Sequence, residues 1–340
     1  MIILTQVSIE SSKKYEGKSI EKKSRLRFLK FYLIPGWRDP EFSAQEYEIG
    51  KIKSKRRLFR RLLTPLTIAG LTMIMFIAVL GVFSTWLTPY PLDCITRTIC
   101  VWPDPLVGTE GLPYAAPSGL HPLGTTKASY DLLARMIWGA RTALTAAILP
   151  VIVGTLGGLV VGTISAYFGG KIDSIIMRFS DFWFALPTFI LIIILSPMVG
   201  KDLYNILLLY GIFSIPASAR WVRALVLQVR QNIYVKAAIT SGAEKFKVMF
   251  KHILPNAISP IIIGFFGSMG GAILGFAGIA FLGLGDERFA DWGTDISYGL
   301  GHLGAYWTII WPGLLISIAA IGFMLIGDGL RDALDPRLHI

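Results

Sequence analysis

The chain has 340 residues, 53% of them apolar or aromatic and only 16% charged, with a mean hydropathy of +0.58. Soluble proteins carry about 25% charged residues, so this composition excludes a disordered polar chain and argues against an ordinary soluble enzyme. The net charge is +11, but residues 1–61 hold 16 Lys/Arg against 7 Asp/Glu and supply +9 of it. A basic tail ahead of long apolar runs points to membrane topology rather than to nucleic acid.

Six runs lack any charged residue: Leu62–Leu92, Thr142–Phe168, Phe182–Gly200, Leu203–Ala219, Ala257–Gly285 and Tyr306–Gly327. A helix needs about 20 apolar residues to cross the hydrocarbon core, so each run is read as one span. The fourth is short and holds Asn205, Ser214 and Pro216; it is expected to continue as an amphipathic helix past Arg220 and Arg223. The fold class is therefore all-α: a polytopic membrane protein of six transmembrane helices. Residues 1–61 form a basic tail, and residues 62–340 the transmembrane domain, with an outer loop over 93–141.

Charge sets the direction. Lys and Arg accumulate on the cytoplasmic side, which places the tail and, after six spans, the C-terminus inside. Segment 220–252 also falls inside, with seven basic residues against Glu244. Segment 286–306 falls outside, with Arg288 against four acids. The expected location is the cytoplasmic membrane, multi-pass, with both termini cytoplasmic. Cys94 and Cys100 fall in the outer loop, where they are either a disulfide or two unpaired thiols.

No Asp, Glu, Lys, Arg or His lies within the six runs, which argues against a proton- or sodium-coupled carrier working alone. Gly154, Gly158 and Gly162, and again Gly267, Gly271 and Gly275, recur every fourth residue. Such strips let helices approach closely, either as static packing or as a sliding interface. Gly17-Lys18-Ser19 lacks the glycine five residues earlier that a phosphate loop needs. His121, His252, His302 and His339 are scattered. No catalytic residue, metal site or cofactor of this chain's own is read. Trp183, Phe184, Tyr210, Phe265 and Phe266 are candidate pathway-lining aromatics, with lipid-facing or core packing as the plainer role.

The informative stretch is 228–256. It reads as two short helices: Asn232 is placed to cap the first, and Gly242 stands where the chain must stop and turn. The second helix is expected over 243–254, with Phe246, Met249, Phe250 and Ile253 on one face. Pro255 then starts the approach to the fifth span. An exposed, L-shaped pair on the inner surface suits a docking partner.

This stretch resembles the "EAA" loop of ATP-binding-cassette (ABC) import permeases of the dipeptide/oligopeptide/nickel group. Ala237, Ala238 and Gly242 match, as does the tail His252-Ile-Leu-Pro255-Asn256, while the glutamate position holds Lys236. Further stretches resemble the same group: His121-Pro-Leu-Gly-Thr125, Asp131-Leu-Leu-Ala-Arg135, Gly139-Ala-Arg141, Phe281-Leu-Gly-Leu-Gly285 with Trp292-Gly293, and Gly327-Asp-Gly-Leu-Arg-Asp-Ala-Leu-Asp-Pro-Arg337. The resemblance runs from about residue 56 to 340.

It implies a subunit that is not itself an enzyme: half of a translocation pore for di- or oligopeptides. A second related permease, two ABC ATPases that bind ATP and magnesium, an external solute-binding protein and membrane lipid are the implied partners. Oligosaccharides or nickel chelates are the alternative cargo. A carrier or channel acting without an ATPase is a further reading, as is a scaffold. The ATPase-coupling residues implied are Tyr234, Lys236, Ala237, Ala238, Gly242, Ala243, Glu244, His252 and Pro255.

Overall fold

The computed structural model describes residues 64–88, 90, 92, 113–200, 202–286 and 288–334. The basic tail, Cys94, Cys100 and His339 lie outside them. Among the described residues there is no strand, and the helices follow in order: α1 Pro65–Val82, α2 Ser84–Leu87, α3 Leu132–Phe168, α4 Gly170–Ala185, α5 Thr188–Val199, α6 Leu203–Arg230, α7 Ile233–Thr240, α8 Lys245–Val248, α9 Leu254–Ile279, α10 Trp292–Leu300 and α11 Trp307–Leu334. A π turn, Met249–Ile253, joins α8 to α9, and a second, Ala280–Leu284, extends α9. Caps mark several starts. Thr64 Oγ1 accepts from Thr67 N–H ahead of Pro65, Asp131 from Ala134 N–H and Asp202 from Tyr204 N–H.

The long helices pack pairwise: α3 along α6, α11 against both α9 and α1, and α9 across α3. The α3–α6 contact depends on missing side chains. A methyl at Gly154 would meet Ser214, one at Gly158 would meet Ser218 and the Ala219 amide, and one at Gly162 would meet the Ala219 carbonyl. Close backbone approach of this kind replaces the hydrophobic drive that lipid cannot supply. The second strip behaves differently, because Gly267 and Gly271 face open space and only Gly275 is pressed, against the Tyr210 hydroxyl. Large apolar side chains stand exposed along the outer helix faces, such as Met75, Leu156, Ile194 and Ile310. In water this would be a liability, and in a bilayer it is the solvated state.

Among the described residues, five helices are long and apolar enough to cross a membrane. The third expected span is instead the pair α4 and α5, bent by 84°. Leu186 is extended there, and Pro187 stands at the start of α5, as the steric rule for a residue before proline requires. Helix α3 begins ten residues earlier than the apolar run, because Asp131 caps it. Helix α6 continues to Arg230, as its amphipathic pattern indicated.

These longer helices bring charge that the runs excluded. Arg141 Nε donates to the Gly81 carbonyl at 2.6 Å and so satisfies the C-terminal end of α1. Arg223 forks onto both oxygens of Asp173 at 2.5 Å, Ser165 Oγ joins one of them, and Arg220 pairs with Asp181. Helix α4 is thereby held to α6. The C-terminal residues Asp328 and Arg331 are exposed and make no ion pair among the described residues, although their spacing allows one.

Candidate functional site

The helix pair after α6 is built around one turn. Helix α7 ends at Ser241, and Gly242 takes φ +79°. Gly242 N–H donates to the Ile239 carbonyl and Ala243 N–H to the Ala238 carbonyl, each at 3.1 Å. These two bonds complete a Schellman cap, which requires a left-handed residue at its centre. Asn232 precedes α7 in extended backbone but makes no side-chain cap bond, which corrects the expected cap.

The second helix also differs from expectation. Its apolar residues divide: Val248, Met249 and Ile253 are buried, while Phe246 and Phe250 are exposed. Nor does Pro255 begin a separate approach. The chain runs through α8, the π turn and α9 as one continuous apolar helix over Phe246–Leu284. The wider turn just ahead of Pro255 accommodates the missing N–H.

Burial shows how this unit is attached. Val235, Val248 and Ile253 form one apolar cluster with Ala166 of α3, Val222 and Val226 of α6, and Ala257 and Ile261 of α9. Arg230 closes the same end by donating to the Ala166 carbonyl at 2.9 Å. The outer face remains uncovered: Ile233 is 85% exposed and Phe246 63%, with Tyr234, Ile239 and Phe250 beside them. Lys236, Glu244, Lys247 and Lys251 are also exposed. An apolar patch with a charged rim, seated on three spanning helices through a shared buried cluster, has the composition of a protein contact.

Midway along α3 a cavity of about 270 Å³ opens between α3, α6 and α9. Thr155, Tyr210, Ser214, Ser218 and Ser268 line it, with Gly154 and Gly271 leaving room. Its lining is hydroxyl-bearing and uncharged. Pro150 lies in its wall and Pro216 sits within α6 nearby, and each removes one backbone donor from its helix.

At the opposite end of the bundle from α7, a second pocket of about 200 Å³ is bounded by the segment before α3, the end of the α9 extension, and α10. Arg135, Asp291 and Asp295 line it and are almost fully buried. Arg135 Nε donates to Asp295 Oδ1 at 2.6 Å, and Asp291 Oδ1 accepts from Thr294 N–H at 2.7 Å. Burial raises the carboxyls of both Asp291 and Asp295. For Asp295, Arg135 opposes this rise and the charge of Asp291 adds to it, leaving the group at about 6.

With this geometry in place, comparison with known proteins is decisive. The family described as the binding-protein-dependent transport system inner membrane component matches residues 158–340. The chain belongs to that family. It is similar to the probable D,D-dipeptide transport system permease protein of Escherichia coli K12, 33% identical over 81% of this chain and 88% of the relative. It is also 34% identical to the oligopeptide transport system permease protein of Bacillus subtilis 168, over 81% of this chain and 86% of the relative. The dipeptide transport system permease protein of the same organism is 33% identical, over 81% and 82%.

The chain is thus a multi-pass permease subunit, the inner-membrane component of an ABC-type importer. The family match covers α7, the Gly242 turn and the whole of α9 to α11.

The residues singled out in the sequence separate into groups. Tyr234, Lys236, Ala237, Ala238, Gly242, Ala243 and Glu244 sit on α7 and its turn, and all are exposed except Ala238 and Ala243, which are half-buried. His252 and Pro255 lie further along, in the π turn and the first turn of α9. The five aromatics do not share one surface. Tyr210 lines the central cavity, Phe265 and Phe266 meet each other edge to face beside the core, and Trp183 donates to the Phe213 carbonyl at 3.2 Å. Phe184 is exposed, with the Arg220 guanidinium over its ring.

Of the cavity hydroxyls the sequence singled out Tyr210, but not Thr155, Ser218 or Ser268, and it gave no sign of the buried Arg135–Asp295 pair. The excess of acids in 286–306 was visible, but as a topological signal.

Proposed function

We propose that this chain forms half of the translocation pore of an ATP-driven importer of di- and oligopeptides. A second related permease completes the pore, two ATPase subunits carrying ATP and magnesium dock beneath it, and an external binding protein delivers cargo. The observation that carries the reading is the uncovered patch of Ile233, Tyr234, Ile239, Phe246 and Phe250, seated through Val235 and Val248 on α3, α6 and α9. Docking at this patch moves three spanning helices together. Tyr234, Lys236, Ala237, Ala238, Gly242, Ala243, Glu244, His252 and Pro255 are the coupling residues in this account.

The orientation follows from charge. The end that carries Arg223, Arg230, Lys236, Lys247 and Lys251 is cytoplasmic, and the end that carries Asp202, Asp286, Asp291 and Asp295 faces outward. Both termini are then cytoplasmic. The chain binds no cofactor of its own and no nucleic acid; its other partner is lipid. Peptide cargo is supported by the hydroxyl-lined, uncharged cavity, which suits a backbone rich in amide groups. It is also supported by the relatives, which are permeases of dipeptide and oligopeptide transport systems. Tyr210 is the pathway aromatic in this account.

The test is isolation of the chain from its native membranes in mild detergent, with identification of what accompanies it. A second permease and ATPases bearing phosphate loops are expected. Recovery of the chain alone, under conditions where a related importer stays assembled, contradicts the proposal.

A further inference from the structure

The pocket at the outward end holds an imbalance that the transport reading leaves unused. Three buried carboxylates line it, Asp286, Asp291 and Asp295; Asp286 is held by Arg288, which leaves Asp291 and Asp295 against the Arg135 guanidinium. Asp291 is engaged by the first turn of α10. Asp295 gives Oδ1 to Arg135, but its Oδ2 is buried without a hydrogen-bond partner. A buried carboxylate oxygen left without a donor is costly, and the best relief is a cationic donor. Among the described residues no group of three metal-ligating side chains exists to hold a metal ion. The walls instead include Tyr130, Phe289 and Tyr298. Two of these rings already face cations: the Arg135 guanidinium lies 5.8 Å from the centre of Tyr130, and the Lys127 ammonium 5.1 Å from that of Tyr298. A volume of about 200 Å³ exceeds one water's share of roughly 30 Å³ several times over.

We propose that this pocket receives a primary ammonium group, the amino terminus of a peptide entering the importer, with Asp295 Oδ2 as its acceptor. Arg135 positions Asp295 through Oδ1 and leaves the other oxygen for the ligand. Lys127, exposed at the mouth, is the competing resident cation. The elevated pKa of Asp295, about 6, fits this arrangement: a buried, unmatched carboxylate binds a proton more readily than a free one, and at pH 7.5 it is ionised and open to an arriving ammonium. The inference rests on the peptide reading of the chain.

The test uses the assembled importer in lipid nanodiscs at pH 7.5, with its binding protein left out. Its melting is followed against alanyl-alanine and against N-acetyl-alanyl-alanine, since a ligand that binds only the folded state raises the melting temperature. Alanyl-alanine is expected to raise it and the acetylated peptide to leave it unchanged. Asp295→Asn should increase the alanyl-alanine concentration required by about tenfold or more, reflecting a lost charge-assisted bond. An equal response to both peptides, no response in the wild type, or an unchanged response in Asp295→Asn overturns the proposal.

Should Asp295→Asn fail to assemble, Lys127→Ala decides. Removing the competing cation lowers the concentration required, and an unchanged or higher requirement overturns the site. ATP-driven uptake of alanyl-alanine by the wild-type complex with its binding protein is measured in parallel. Absent uptake defeats the peptide reading, whereas uptake without the melting behaviour described defeats only the ammonium site.

Discussion

Two carboxylates and one guanidinium buried between α3 and α10 make the end of the bundle opposite α7 sensitive to single substitutions. Removing Arg135 leaves Asp291 and Asp295 buried without their shared cation, a change that costs about 3–5 kcal/mol in comparable pairs. The pH dependence has a definite sign. Asp295 in the folded chain titrates at about 6, above the ~3.9 of an unfolded aspartate. The folded state therefore holds the extra proton between those values, and this group's contribution to stability falls as pH rises through that window. Without Arg135, which opposes the rise, the window moves upward. Arg135→Met is expected to lower the melting temperature strongly at pH 8 and to recover part of the loss at pH 5. An equal loss at both pH values would show that lost packing alone is responsible. In the sequence Arg135 was legible only as part of a family motif. Its partner lies 160 residues away, and no local spacing announces a pair of that separation.

At the scale of elements, small residues decide which helices touch. Gly154, Gly158 and Gly162 face Ser214, Ser218 and Ala219 across the α3–α6 contact. Gly158→Leu must push α6 away, at a cost above the roughly 1–3 kcal/mol of ordinary overpacking; loss of folded complex in detergent extraction is the expected result. Gly271→Ala enters open space and should leave melting unchanged. A matching loss in both variants would contradict the assignment of the two strips. The recurrence of glycine every fourth residue was plain in the sequence, but which strip is packed was not, because that depends on the neighbour. The bend between α4 and α5 divides in the same way. Leu186-Pro187 marks the break locally, whereas the attachment of α4 through Asp173 to Arg223 is a contact between distant segments.

For the whole molecule, apolar run length carried most of the architecture. The exceptions lie at helix ends, where Asp131 and Arg141 extend or close helices with charge that a hydropathy count treats as an interruption. The helix pair around Gly242 was legible because its turn depends on one glycine with a defined backbone requirement. Its continuity into α9 was hidden by Pro255, which the π turn accommodates.

In the proposed mechanism the helix pair around Gly242 transmits force between an ATPase and the bundle, and uptake per ATP hydrolysed in proteoliposomes carrying Gly242→Val tests this. A β-branched residue at φ +79° costs on the order of 1–2 kcal/mol although no atom crowds the site. The cap is thus disturbed without a clash, and Gly242→Asn, which tolerates this conformation, serves as the control. The valine complex is expected to assemble and hydrolyse ATP but to import far less peptide per ATP, while the asparagine complex stays near wild type. A valine complex that keeps the wild-type ratio would contradict the proposed mechanism.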